Sequence, residues 1–305
     1  MPDFQVVPTP RALRADDAAY PGALHDLGAR RPDPLHALGE TPWPPGPMAT
    51  VVGARAVTGY ARRITERIVA ALVGAGVSVA SGMARGVDAA AHRAALDRGG
   101  FTVAVLGVGI DQVYPPEHAG LYTRVARAGR ILSPWAAGEG VRRGRFPARN
   151  RVLAALGDVV VLVQADARSG SRHTVRAALD LGRAVCVVPW PLGHAGYDGN
   201  AAWARAGVRV LTAFEDAARL AREAHQQRRT RAAASPGAPW GASSGATLDE
   251  SARLLAAASR RAQSLEDLAR VTGLDVGAAA AALLLLELRG EIERVGGDRY
   301  RRRVR

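Results

Sequence analysis

The sequence predicts a doubly wound, mostly parallel α/β sheet followed by a small winged-helix domain. Three observations carry this expectation. From Thr50 onward, short β-branched runs alternate with amphipathic stretches at the spacing of βαβ units. After residue 224 the composition shifts to Arg, Ser, Gly and Pro without apolar periodicity, as in a linker. Beyond it, three helical segments precede two extended pieces around Gly296 and Gly297, the order of a winged helix.

Taken in order, residues 1–46 are Pro-rich and lack a strong period, and are expected to wrap the surface of the main domain. Residues 47–224 hold the strand candidates TVVG, VSVASG, FTVAVLG, RILS, DVVVLVQA, AVCVVP and VRVLT. The helix candidates between them include TGYARRITERIVAALVGAG, GVDAAAHRAALDRGG, RNRVLAALG and SRHTVRAALDLGR. The pattern gives a sheet of roughly seven strands. Residues 225–246 are read as the flexible linker, and 247–305 as the winged-helix domain.

With 305 residues, 48% of them hydrophobic, the chain is long enough for real cores, and composition excludes a disordered chain. A single cysteine, Cys186, excludes disulfides and cysteine-based metal sites. No run of about 18 apolar residues occurs, and the N-terminus carries acids where a signal peptide needs a basic segment. The expectation is a soluble, cytoplasmic protein with no membrane association.

The net charge of +13 points to a polyanionic partner. Residues 47–222 hold 23 Arg against 12 acids, so the middle of the chain carries the basicity. Every basic side chain is arginine, which a GC-rich coding sequence explains; the location of the charge, not the identity of its carrier, is the informative feature.

In a parallel sheet the strand carboxyl ends share one edge, so the loops after the strands converge there. Those loops contain Gly53-Ala54-Arg55, then Ser81-Gly82-Met83-Ala84-Arg85-Gly86-Val87-Asp88, then Gly107-Val108-Gly109, and later Arg168-Ser169-Gly170-Ser171. Glycines that permit close backbone approach, beside helix N-termini and arginines, suit a phosphate-bearing ligand. A dinucleotide fails because VGARAVTG is not spaced as G-x-G-x-x-G and no acid ends the second strand; no Walker-type Gly-Lys-Ser/Thr occurs.

The stretch from Arg142 to Arg151 packs five arginines around Phe146. Arginines there neutralise successive phosphates while a ring stacks a base, a surface suited to single strands without strong sequence preference. The bland alternative is that Phe146 anchors the loop and the arginines form a solvated face. Asp88 and His92, four apart on one helix, could act as base and orienter or hold a metal; the simpler reading is that Asp88 braces the helix start and His92 packs beside it. No nucleophile elbow, paired glutamates or histidine cluster accompanies them, so no catalytic residue, metal or cofactor is assigned.

The loop motifs, together with Ala104-Val105-Leu106-Gly107, Tyr114-Pro115-Pro116-Glu117 and Phe146-Pro147-Ala148-Arg149-Asn150-Arg151, closely resemble the DNA-processing protein A (DprA, or Smf) family in order and spacing across about residues 47–222. Tyr20-Pro21, Leu24 and the stretch from Pro34-Leu35 to Gly39 resemble the segment that precedes the family's Rossmann-like domain. The resemblance implies a dimeric, non-catalytic protein of natural transformation that binds incoming single-stranded DNA, protects it and helps load the RecA recombinase. By that resemblance Arg85 and Arg143 would sit in a basic pocket, and Phe146 would contact a base. Gly53, Arg55, Arg149, Asn150, Ser169, Gly170 and Ser171 would line the cleft, and Ser81, Gly82, Gly86 and Arg151 complete the expected DNA-binding set. The chain departs from the family pattern at Arg172-His173, Ser133-Pro134-Trp135 and Val188-Pro189-Trp190, which bears on the shape of the cleft and the dimer surface.

Two other readings compete. A phosphoribohydrolase-type nucleotide enzyme would show a Pro-Gly-Gly-x-Gly-Thr loop followed by a glutamate; residues Arg168 to Thr174 carry no acid. A duplex-binding regulator would use the segment from Val276 to Leu288 for recognition, but it is Ala- and Leu-rich and nearly uncharged, leaving only Arg294, Arg299 and Arg301 to Arg303 at the wing.

Overall fold

A computed structural model of the chain describes residues 9–142, 144–234, 253–259, 261–274, 276–288, 291–295 and 297–303. They fall into two compact units that divide at Trp240 and Gly241.

In the first unit seven strands run parallel: β3 (Met48–Val52), β4 (Ser78–Ser81), β5 (Thr102–Val105), β6 (Arg130–Ser133), β7 (Val159–Leu162), β8 (Ala184–Val187) and β9 (Arg209–Val210). Two more, β1 (Arg11–Leu13) and β2 (Leu35–Leu38), come from the N-terminal segment and add antiparallel at the β6 edge, giving the order β1-β2-β6-β5-β4-β3-β7-β8-β9. Residues 1–46 therefore do more than wrap the domain, because part of them extends its sheet. A largely buried ion pair between Arg183 and Asp26, at 2.6 Å, ties that segment to the start of β8. The helices α1 (Gly59–Gly74), α2 (Val87–Leu96), α3 (Ala119–Ala128), α4 (Arg145–Leu156), α5 (Ser171–Asp180) and α6 (Asp198–Arg205) occupy the connections, and α7 (Glu215–Ala234) follows β9. Strands β3, β4, β5 and β7 are buried along their whole length, as a sheet covered on both faces requires.

Helix α7 runs ten residues into the stretch read as linker. Its extension has an anchor the sequence does not advertise: the buried carboxylate of Asp158 accepts from the Met48 amide at 2.9 Å and pairs with Arg228 at 2.8 Å. The remainder of that linker, 235–246, lies outside the described residues.

His92 on α2 packs in the core, as the simpler reading expects. The Thr102 hydroxyl donates to the Val79 carbonyl, so His92 Nδ1 donates to Thr102 Oγ1 at 2.7 Å, and Nε2 has no hydrogen-bond partner among the described residues. Burial lowers the His92 pKa to about 3, helped by the charges of His118 and Arg149. A histidine that is harder to protonate folded than unfolded stabilises the fold above its ordinary pKa near 6.5, and that stability drains away as pH falls toward 3. Denaturant titrations between pH 6.5 and 4.5 should show a loss approaching about 1.4 kcal/mol per pH unit. The His92→Asn variant should have a shallower slope.

In the second unit, residues 253–257 are helical. They precede β10 (Gln263–Ser264), α8 (Leu265–Thr272), α9 (Val276–Leu288), β11 (Ile292–Arg294) and β12 (Arg299–Arg302). The three strands form one antiparallel sheet with β12 in the middle, the winged-helix arrangement, over a core that includes Leu254, Leu268, Leu283, Ile292 and Tyr300. Ser264 caps α8 by accepting from the Asp267 amide at 3.1 Å.

Candidate nucleic-acid interface

The chain leaves β3 to build β4, β5 and β6 on one side, then returns to place β7 against the other side of β3. Such a reversal opens a crevice at the carboxyl ends of the two strands. Here it is a cleft of about 740 Å³. The loop after β3 supplies Gly53, Arg55 and Thr58, the loop after β7 supplies Gln164 and Ser169 to Ser171, and α4 closes it with Phe146, Arg149 and Asn150. A smaller hollow shares Arg55 and Phe146 with it and adds Gly82, Arg85 and Tyr114.

The loops after β3 and β4 touch through backbone. The Val87 amide donates to the Ala54 carbonyl at 3.2 Å, and Gly86 sits at φ +78° where a Cβ would lie 2.2 Å from the Ala54 oxygen. Gly86→Ala should therefore cost about 3 kcal/mol or more in a denaturant melt, from backbone strain plus collision.

Two buried charged groups, Arg149 and Asp88, line the floor of the cleft. Arg149, 5% exposed, donates from Nη1 to the Gly82 and Val105 carbonyls and from Nε to Asn150 Oδ1 at 3.1 Å. Asp88, 6% exposed, accepts from the Ala84 amide at 3.3 Å. Burial pushes the Asp88 carboxyl above its usual range and brings the Arg149 guanidinium down to about 10, while each charge opposes the shift of the other. Arg149 thus braces the ends of β4 and β5, and its charge is committed before any ligand arrives.

At the mouth the half-buried Phe146 ring lies against Gly107, where a Cβ would come within 2.7 Å of it. The exposed Arg55 guanidinium stands 5.6 Å from the ring centroid, and the Tyr114 ring is tilted 53° at 5.8 Å. An aromatic pair with a cation beside it is a platform for a base and the phosphate next to it. Arg85 is exposed and pairs with the exposed Glu117. Such a pair contributes little to stability, and a phosphate can take the place of the carboxylate.

Across the cleft Ser169 Oγ and Ser171 Oγ lie 2.7 Å apart, and Asn150 Nδ2 donates to the Gly170 carbonyl at 3.3 Å, holding the start of α5 against α4. The departure His173 also lines the cleft, its pKa lowered by burial and by Arg172, Arg176 and Arg151. A second departure, Trp135, carries the Arg145 guanidinium 5.3 Å from its ring centroid.

The expected residues thus divide. Gly53, Arg55, Phe146, Asn150, Ser169, Gly170 and Ser171 gather at the cleft, and Arg85 stands beside it in the adjoining hollow. Ser81 is fully buried with its hydroxyl donating to the Val51 carbonyl at 2.7 Å, so it ties β4 to β3 and presents no group to the cleft. Arg149 lines the cleft as well, as a buried brace at its floor, while Gly82 and Gly86 shape the loop and Arg151 is exposed on α4 outside the cleft lining. Arg143 lies outside the described residues. Within the arginine-rich stretch Arg145 is also buried, paired with Glu139 and donating to the Gly140 carbonyl at 2.7 Å. Sequence reasoning placed Tyr114 in a motif but missed it as the partner ring of Phe146; Thr58, Gln164 and His194, also in the lining, gave no signal. Among the described residues no group of three or more His, Cys, Asp or Glu is placed to hold a metal ion, and no helix is long and apolar enough to cross a membrane.

Comparison with known proteins identifies the family to which this fold belongs. The putative DNA processing protein DprA of Mycobacterium tuberculosis is 37% identical over 222 residues, covering 68% of this chain and 56% of that protein. The chain thus spans little more than half the length of that relative. Protein Smf of Synechocystis is 32% identical over 324 residues, covering 96% of this chain and 80% of its own length. Among solved structures, DprA from Streptococcus pneumoniae superposes with a TM-score of 0.64 at 32% identity, covering 70% of this chain and 74% of that one. DprA from Helicobacter pylori, whose structure is described as giving insight into a single-stranded DNA binding mode, does so with a TM-score of 0.62 at 25% identity, covering 73% and 97%. The family model for the DprA winged-helix domain matches residues 236–298. With the family model for DNA recombination-mediator protein A matching residues 11–222, the nine-stranded sheet, the cleft and its glycine loops all fall inside that match, and the chain belongs to the DprA family.

Proposed function

We propose that this chain binds single-stranded DNA in the cleft between the β3 and β7 loops and acts as a recombination mediator without chemistry of its own. The observation that carries the reading is the Phe146 and Tyr114 ring pair, flanked by Arg55, at the mouth of a cleft walled by glycine loops and helix starts. Rings stack bases of any identity, and the nearby cations meet the backbone. Membership of the family and the single-strand binding described for the H. pylori relative support it. On the same reading the protein works in the cytoplasm as a homodimer during natural transformation, shielding incoming strands and helping to load RecA. Two short single-strand sites in one dimer would raise avidity.

The acids of the cleft favour binding over catalysis. Asp88 is buried and accepts from a loop amide, and Asp166 accepts from the Arg168 amide at 2.7 Å, so both serve to shape loops. Fluorescence anisotropy with a labelled oligothymidylate and a matched duplex at one fixed salt concentration tests the reading. Preference for the single strand is the expected result; equal binding of the duplex would remove it.

A further inference from the structure

A second basic groove opens on the far side of Arg85, between α1 and α2. It encloses about 400 Å³, with Gly86, Ala89, Ala90 and Ala94 along its floor and Arg62, Arg85, Arg93 and Arg98 on its rim. Three features set it apart from a merely solvated helix face. Its floor is made of small side chains, with Ala89 and Ala94 almost fully buried, so a chain can lie close to the helices. Arg62 and Arg93 are exposed, and neither has an ion-pair partner among the described residues. Of the two acids in the lining, Asp97 is already paired with Arg124 at 2.6 Å, and Glu66 has no ion-pair partner among the described residues.

The groove is also continuous with the cleft. Arg85 lines both this groove and the hollow that holds Phe146 and Tyr114. From Val87 to Arg93 is six residues of helix, a rise of about 9 Å, and Arg62 faces the same groove from the first turn of α1. We infer that the α1/α2 groove is a phosphate track, which takes the backbone of the strand as it leaves the Phe146 platform over Arg85 and adds about two charge contacts, from Arg62 and Arg93. The inference rests on the single-strand reading of the cleft. It adds a site outside that cleft and sets a minimum strand length for full affinity.

The test compares oligothymidylates of about six and about twenty nucleotides across a salt series, for wild type, for the double variant Arg62→Ala with Arg93→Ala, and for Phe146→Ala. Both arginines are exposed, and a thermal melt of the double variant controls for folding. For the long strand the double variant should lower the slope of log K against log salt by about 1.4, at roughly 0.7 per lost phosphate contact. For the short strand, which fills only the cleft, affinity and slope should match wild type. An unchanged slope on the long strand, or equal losses on both lengths, would overturn the track. Failure of the wild type to bind the short strand, or indifference to Phe146→Ala, would instead overturn the cleft reading on which it rests.

Discussion

Phe146→Ala lowers the affinity for an oligothymidylate by about 1–3 kcal/mol, the usual worth of one base stacked on an aromatic side chain. The loss should be large because the ring has no full substitute. Tyr114 sits 5.8 Å away and tilted, so it can support the platform without reproducing it, and Arg55 loses the face it stands over. The fold should tolerate the change, since the ring is only half-buried and lies at a rim. Phe146→Tyr should keep most of the affinity. Anisotropy titrations of the three proteins at one salt concentration check this, with the thermal midpoint as control; a melt that collapses along with binding would mean that Phe146 is an anchor for its loop.

The second large effect is on stability. Arg149→Leu removes the cation from beside a buried carboxylate and leaves the Gly82 and Val105 carbonyls without their donor. Each buried acceptor left without its donor costs about 1–3 kcal/mol, and the nearby buried carboxylate loses a compensating cation, so the loss should be about 3 kcal/mol or more. Asp88→Asn removes that charge, so the double variant should lose clearly less than the sum of the single losses. Denaturant midpoints of the four proteins complete the cycle. Strict additivity would show that Arg149 and Asp88 do not act as a pair.

The two residues illustrate what a sequence can and cannot disclose. Phe146 stood out because it is a rare aromatic in a basic run, a signal that composition alone supplies. Arg149 looked equivalent to its neighbours Arg142 and Arg151, yet it is buried because carbonyls 67 and 44 residues away converge on it. No local pattern records that convergence. The same holds for Arg145, whose commitment to Glu139 and Gly140 depends on how the loop turns back.

The fold divides along similar lines. Strands such as VVVL and TVAV are read directly, since a strand covered on both faces must be apolar throughout. The edge strand β1 and its neighbour β2 are three and four residues long, lie in a Pro-rich segment and are defined only by the pairing of β1 with β2 and of β2 with β6. Helix α7 continued past its apolar face because Arg228 reaches a carboxylate 70 residues earlier in the chain. In each case the missing information is a long-range polar contact, while the hydrophobic pattern and the glycine loops were legible.

The central claim is that a single strand occupies the cleft with a base on Phe146. Photo-crosslinking of an oligothymidylate bearing bromodeoxyuridine, followed by peptide mapping, tests it most directly. The account predicts adducts on the peptides that carry Phe146 and Tyr114, suppressed by unlabelled single strand and not by duplex. Adducts confined to the wing at Arg299 to Arg302, with none at the cleft, would contradict it.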